Sequence, residues 1–492
     1  MKNIVVVGGG TAGWFTALMA KSYYEFVNIT VIESSEIGIL GAGEGTTPHF
    51  LRFLREINIE LNDVIREADA TIKNGIRFIN WHGDGTDYFH SFTVNPDYAA
   101  LDNFTVLMAQ IDRFHRFDEI DLPAKLTAKH KVPFYKNGSG DISINNVKDI
   151  GRVGIHFNAR KFAAYLQKVA KQRGIRHIDG RVTQIHTNES GDITGLALEG
   201  REAVVDCDFV FDCSGFARLL IGKHYKSPWI SYSDRLPMKR AIPFFIEHDG
   251  DVAPETKSIA MSSGWVWQIP VQGRYGCGYV FDSDYITDDQ ALAEAENLFG
   301  RKLEVPRAFD FSAGTHQHTL INNCLAIGLS QSFVEPLEAT SIWIAFVNLH
   351  EFLNNNGLFV RNPIYEKSFN ERCQRRNNDV KDFIYLHYLT QRQDSQFWRE
   401  FRQKNPMIGT VSDTLSLISE YPYINLDGNM FNNSSWLQVG HGLQAIQLDN
   451  YYRTFEFCDH DYSNHLRDQA ERKQNNIINS CIDHKLFVEA MR

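Results

Sequence analysis

The sequence predicts an α/β protein built on a dinucleotide-binding βαβ unit, and three adjoining observations carry the prediction. An apolar run at 4–7 passes directly into Gly8-Gly9-Gly10-Thr11-Ala12-Gly13; an apolar helical segment then continues to Ala20. A second strand at 27–32 ends on Glu33, an acid twenty residues after the last glycine. In a G-x-G-x-x-G turn the first glycine allows the tight bend, and the second lets a pyrophosphate approach backbone N–H groups. The third lets helix and strand pack closely, and the acid after the second strand binds a ribose hydroxyl. Gly8, Gly10 and Gly13, with Thr11, Ala12 and Glu33, are therefore the expected nucleotide-binding residues.

The composition sets the outer bounds. At 492 residues, 43% hydrophobic and 22% charged, the chain has a soluble globular composition and room for about three domain-sized units. Its 50 Lys and Arg against 60 Asp and Glu, with no sustained basic run, exclude nucleic acid or an anionic membrane as the main partner. The first apolar run is too short for a signal-peptide core, and no stretch approaches the roughly 18 apolar residues of a membrane span. Seven scattered cysteines without a C-x-x-C spacing read as reduced thiols, which makes a cytoplasmic location the expectation.

Further elements follow in order. Lys73 stands just before Gly75 and a strand-like stretch at 76–81. Such a lysine is usually a solvated charge, and only burial would make its amine nucleophilic. Apolar residues Phe162, Tyr165, Leu166, Val169 and Ala170 mark a helix over 158–172, capped by Asn158 and stopped near Gly174. A hairpin turning near 189–192 comes next, then a short strand at 208–212 that returns to the first βαβ unit about two hundred residues later. In Gly264-Trp265-Val266-Trp267-Gln268-Ile269-Pro270 a strand places both indoles on one face. His316 and His318 form an H-x-H without a third ligand at sensible spacing, so a structural pair is expected and no metal site. Ile342, Ala345, Phe346, Leu349 and Leu353 mark a helix that begins near 339–341 and ends at Gly357. Its unpaired N–H groups make an anion site, whether for a halide, a phosphate or a water cluster. Glu338 just before it reads equally as an acid complementing the helix dipole.

Taken together, these stretches resemble the flavin-dependent halogenases of the tryptophan-halogenase family over nearly the whole chain. Four motifs carry the resemblance: the glycine turn continuing into Trp14, the W-x-W-x-I-P at 265–270, the F-V-E-P-L-E at 333–338, and Lys73 followed by R-F-I-N-W. Two further stretches are similar to the family's: Gly41-Ala42-Gly43-Glu44-Gly45-Thr46-Thr47-Pro48, a flavin-contacting strap, and Asp212-Cys213-Ser214-Gly215-Phe216.

The resemblance implies a Rossmann-like FAD-binding module of the flavin monooxygenase type with a largely helical substrate-covering region. The expected segments are 1–57 plus 145–357 for FAD and 58–144 plus 358–492 for substrate. It implies that FADH2, oxygen and a halide (chloride, bromide or iodide) generate hypohalous acid, which Lys73 relays to an indole- or phenol-type substrate with help from Glu338. Ala42, Gly43, Glu44 and Gly328 join the turn residues at FAD. The backbone of Thr340 and Ser341 holds the halide, Trp265 and Trp267 wall the flavin off from substrate, and His90 and Phe92 sandwich the aromatic ring. Ala339, Ser341 and the stretch 429–436 depart from the tryptophan-specific members, so another indole, a phenol or a larger aromatic fits at least as well as free tryptophan. With one dinucleotide fingerprint visible, a separate flavin reductase is the expected partner, and self-association into a homo-oligomer is left open. An aromatic hydroxylase and a non-catalytic flavin-binding protein stay open as alternatives.

Overall fold

The computed structural model describes residues 2–36, 44–92, 101–136, 142–143, 153–407, 409–421, 426 and 430–492. The chain packs as two compact units, each assembled from three separated segments. The first comprises Met1–Ala70, Phe157–Ser233 and Ser312–Asn378; the second comprises Thr71–His156, Asp234–Phe311 and Asp379–Arg492. This packing groups 234–311 with the second unit, whereas the sequence reading places those residues in the cofactor segment.

The first unit is built on a six-stranded sheet. Its order is Arg176–Asp179, Asn28–Glu33, Asn3–Val7, Phe209–Asp212, Cys324–Ala326 and Leu320–Ile321, parallel except for the last strand. The near-continuous apolar character of Ile4-Val5-Val6-Val7 fits a strand covered on both faces. On one face Val5, Val7, Ile32, Ile178 and Val210 pack with Ile193, Leu196 and Leu198 from the hairpin Val182–Thr187 and Ile193–Leu198. Strand alternation turns Ile4 and Val6 to the other face. The helices Thr11–Tyr23 and Thr340–Asn354 pack against each other, with Phe15 stacked on Phe346 at 3.9 Å between ring centroids. The helix Ala159–Gln172 begins where expected, with the Asn158 side chain accepting a hydrogen bond from the Lys161 N–H; such a cap is worth about 1 kcal/mol. The sheet order diverges to either side of Asn3–Val7, which makes the carboxyl end of that strand the natural ligand crevice.

The second unit is organised by a seven-stranded sheet that the sequence reading did not anticipate as one body. The order is Phe309–Asp310, Arg240–Glu247, Arg274–Phe281, Gly264–Val271, Glu255–Ala260, Gly75–Ile79 and Asp87–Ser91. All pairings are antiparallel except that of Glu255–Ala260 with Gly75–Ile79. Helices supply the rest, among them Asn433–Gly442, His460–Ser480 and His484–Met491. Among the described residues no helix is long and apolar enough to cross a membrane.

Candidate active site

The glycine turn in the first unit is tight. Gly8 has φ 122°, and a Cβ there would lie 2.1 Å from the Cys213 carbonyl oxygen; one on Gly13 would lie 1.9 Å from the Gly8 carbonyl oxygen. Only glycine permits both approaches. The helix Thr11–Tyr23 starts after Gly10 with no side-chain cap and no acid in its first turn, so its first N–H groups face an open N-terminus. Thr11 is buried at this N-terminus. Gly328, at φ 72°, approaches the same helix: a Cβ on it would stand 3.0 Å from that of Ala12.

Glu33 ends its strand beside this turn. Its Oε1 accepts from Gln167 Nε2 at 2.7 Å and pairs with His177 Nε2 at 2.8 Å. Burial raises its pKa, and His177 pulls back against that shift. Glu44 has its Oε2 shielded from solvent, and burial pushes its carboxyl up to about 7, with the Thr11 hydroxyl opposing. Ala42 and Gly43 lie outside the described residues.

The helix Thr340–Asn354 supplies the second feature of this unit. It follows the turn Pro336–Glu338, and its N-cap, Ala339, sits at φ 55° with no side-chain cap. A non-glycine residue held there stores about 1–3 kcal/mol of strain, a cost that clusters at functional sites. Thr340 is fully buried and its Oγ1 has no partner among the described residues. Thr340 and Ser341 thus open an uncapped N-terminus beside a buried hydroxyl, which suits a small anion. Glu338 is buried and precedes the helix, so it is not a first-turn acid of it.

In the second unit Lys73 has no exposed surface. It ends the three-residue strand Thr71–Lys73, and its Nζ stands 5.2 Å from the centre of the Phe92 ring, within cation–π range. Phe92 is tied to this strand through its N–H, which donates to the Asn74 carbonyl at 3.1 Å. His90 is buried, 5.5 Å from Phe383 and 6.3 Å from Phe431, and those two rings stack at 3.7 Å. Trp436 meets Phe383 edge-on at 5.3 Å, and Gln438 Oε1 accepts from the Ser91 N–H at 2.9 Å. Part of the stretch 429–436, Asn429 itself, lies outside the described residues.

Trp265 and Trp267 share a face of Gly264–Val271 with ring centroids 6.5 Å apart. Trp265 Nε1 donates to the Tyr388 hydroxyl at 3.0 Å. Trp267 lies flat over its cross-strand neighbour Gly278, where a Cβ would come within 2.1 Å of the indole. Of the H-x-H pair, His316 is buried, with Nδ1 bonded to the Ser227 carbonyl at 2.9 Å.

A family model described as tryptophan halogenase matches residues 3–483. The chain belongs to the tryptophan halogenase family. It is 32% identical over 416 residues to tryptophan 7-halogenase RebH of Lentzea aerocolonigenes, covering 81% of this chain and 78% of that one. Among solved structures it is similar to BrvH, a flavin-dependent halogenase from Brevundimonas sp. BAL3, at 29% identity and TM-score 0.88, covering 100% and 99% of the two chains. Xcc4156, a flavin-dependent halogenase from Xanthomonas campestris, gives 27% identity and TM-score 0.89 over 99% and 98%.

The protein is therefore a flavin-dependent halogenase, an oxidoreductase that uses FAD as FADH2 and a halide ion. Its residues fit that cofactor: a glycine turn and a helix N-terminus without a side-chain cap are what a pyrophosphate needs. In this halogenase the sequence reading missed Gln331, fully buried with neither amide atom partnered among the described residues. A buried amide left so is costly, which marks it as facing a ligand or water. The only sequence signal for it was a glutamine set between two serines, just before an apolar run.

Proposed function

We propose that this halogenase transfers an electrophilic halogen to an electron-rich aromatic substrate of the indole or phenol type, and that Lys73 is the residue that delivers it. The observation that carries the proposal is the burial of Lys73, with its amine held against the Phe92 ring. A lysine costs several kcal/mol to bury and is retained where its nitrogen has chemistry to perform.

Bound FADH2 supplies, with oxygen, the oxidant that turns halide into hypohalous acid. The chain's own groups divide the remaining work. Thr340 and Ser341 hold the halide through the N–H groups of their helix N-terminus. Trp265 and Trp267, both buried, keep the organic substrate from the flavin. Lys73 binds the hypohalous acid at its nitrogen and aims the halogen, while His90 and Phe92 fix the plane of the arene. Orientation of this kind replaces a bimolecular encounter and supplies much of the rate. The arene carbon forms its bond to the halogen as the halogen–oxygen bond breaks, and Glu338 takes the arene proton and passes it to the released hydroxide, so that water is the second product. Gly8, Gly10, Gly13, Thr11, Ala12, Glu33, Glu44 and Gly328 hold FAD, with Ala42 and Gly43 assigned by sequence alone. The first unit is accordingly the cofactor-holding body. A separate flavin reductase supplies FADH2. Phe383 and Phe431 beside His90, with Trp436 edge-on to Phe383, support a neutral arene rather than a free amino acid as substrate.

Mass spectrometry tests the proposal directly. Indoles and phenols are incubated with the protein, FAD, a reductase, NADH and each halide, beside an enzyme-free control. Halogenated product absent from the control is expected; hydroxylated product would overturn the assignment in favour of a monooxygenase. Lys73→Ala is expected to abolish halogenation while FAD binding is kept, and Glu338→Gln to lower turnover.

A further inference from the structure

We infer that His484 is a positioning residue for Lys73: its imidazole holds the backbone of the strand Thr71–Lys73, and through it the station of the lysine amine beside Phe92. The inference rests on the reading of Lys73 given above.

The strand is only three residues long. One edge pairs with Gly154–Phe157, with Thr71 opposite His156, Ile72 opposite Ile155 and Lys73 opposite Gly154. On the other edge the Ile72 N–H donates to His484 Nε2 at 3.1 Å. The second imidazole nitrogen, Nδ1, lies 2.9 Å from the Val252 carbonyl oxygen. A carbonyl only accepts, so Nδ1 carries the proton and Nε2 presents its lone pair to Ile72. These two bonds fix both the tautomer and the ring plane, and both end on backbone atoms. His484 therefore acts as a bracket between the loop at Val252 and the residue before Lys73.

The neighbouring positions are anchored separately. Thr71 Oγ1 donates to the Pro270 carbonyl at 2.7 Å and stands 3.2 Å from His156 Nδ1; His156 Nε2 meets Thr256 Oγ1 at 2.9 Å. The Asn74 N–H donates to the Pro254 carbonyl at 2.7 Å, and its side chain to Thr127 and Lys131. Position 72 has the imidazole for this purpose. Close packing does not replace it, since a cavity of about 140 Å³ borders Thr71, Val252 and His484. Without the acceptor, Ile72 keeps a buried N–H with no partner, and the strand shifts to satisfy it. Displacement of a reacting group by about 1 Å costs up to ~100-fold in rate.

The test compares wild type with His484→Leu, His484→Gln and Lys73→Ala, using indole, bromide, FAD, a reductase and NADH, with monochlorodimedone as a trap for free hypobromous acid. Glutamine places an oxygen near the position of Nε2 and so can accept from Ile72. His484→Leu is expected to lower kcat about ten- to a hundredfold with KM unchanged, and to pass more oxidant to the trap per bromoindole formed. His484→Gln restores most of both. A readout independent of turnover is reductive methylation of Lys73 in the cofactor-free protein, followed by peptide mass spectrometry. Labelling is expected to be faster in His484→Leu than in wild type or His484→Gln.

If the leucine variant does not fold, His484→Asn, too short to reach Ile72, takes its place in the labelling comparison. Wild-type turnover, trap signal and Lys73 labelling in His484→Leu would overturn the inference. So would equal losses in the leucine and glutamine variants with Lys73 labelling unchanged. Should Lys73→Ala itself brominate indole at the wild-type rate, the reading of Lys73 falls. An inactive Lys73→Ala beside an unaffected His484→Leu removes the positioning role alone.

Discussion

Lys73 and Glu44 are ionisable side chains placed where water does not reach freely, and each makes a distinct demand on the protein. Glu44 is held protonated up to about pH 7, whereas in the unfolded chain its carboxyl ionises near 4.5. The folded protein thus binds more protons than the unfolded one between these values, and stability falls as pH rises from about 4.5 through 7. In cofactor-free protein Glu44→Gln is expected to gain about 1–3 kcal/mol at pH 8 and little at pH 4. Urea unfolding at both values reads this out, and an unchanged difference between variant and wild type would refute it. Lys73 shows where residue-level reading stops. Its neighbours suggest a solvated charge, and nothing in Thr71-Ile72-Lys73 announces complete burial. The motif resemblance singled it out; burial by residues distant in sequence could come only from the fold. Gln331 and His484 escaped for the same reason, because orphaned or bridging polar atoms are defined by three-dimensional surroundings.

Elements with a strong period were legible. The helix Ala159–Gln172 and its Asn158 cap, the hairpin of Val182–Thr187 with Ile193–Leu198, and the parallel strand Phe209–Asp212 all stand where apolar spacing placed them. Short elements were not. The strand Thr71–Lys73 has too few residues to show alternation, and Leu219–His224 is a π-helical turn organised by Asp212, whose carboxylate accepts from the N–H groups of Leu220 and Ile221 at 2.8 Å. The tryptophan strand was legible in its alternation, but its dependence on the next strand was not: Trp267 needs the bare backbone at Gly278. Gly278→Ala is expected to cost about 1–3 kcal/mol of stability, as overpacked cores do. It should also lower the fraction of NADH oxidised that ends as halogenated product. Thermal unfolding and a product-to-NADH ratio measure the two effects; wild-type values for both would show that the indole is free to move.

At the scale of the whole molecule the glycine fingerprint revealed the nucleotide-binding sheet, while the seven-stranded sheet was hidden because its strands come from segments separated by more than 140 residues. Pairing between such distant segments leaves no local pattern to read. The acid side of the stability profile belongs to this second body. Burial pushes the His484 pKa down to about 4 and that of His156 well below 6.5, with His130 and His248 reinforcing the shift at His484 and Asp251 opposing it. Both imidazoles are neutral when folded and take up protons when unfolded, so stability is lost as pH falls from about 6.5 toward 4. His484→Gln is expected to flatten that slope without touching the alkaline limb, which pH-dependent urea midpoints would show; an unaltered acid slope would count against it.

The bracket between Ile72 and His484 also has a consequence in time. A ribosome that has finished Lys73 must add 411 further residues to complete His484 (484 − 73 = 411). At about 5–20 residues per second that interval lasts roughly 20–80 s. Throughout it the nucleotide fingerprint is already synthesised while the lysine strand still lacks its bracket. The nascent chain therefore carries its glycine turn well before the strand Thr71–Lys73 can gain its imidazole partner.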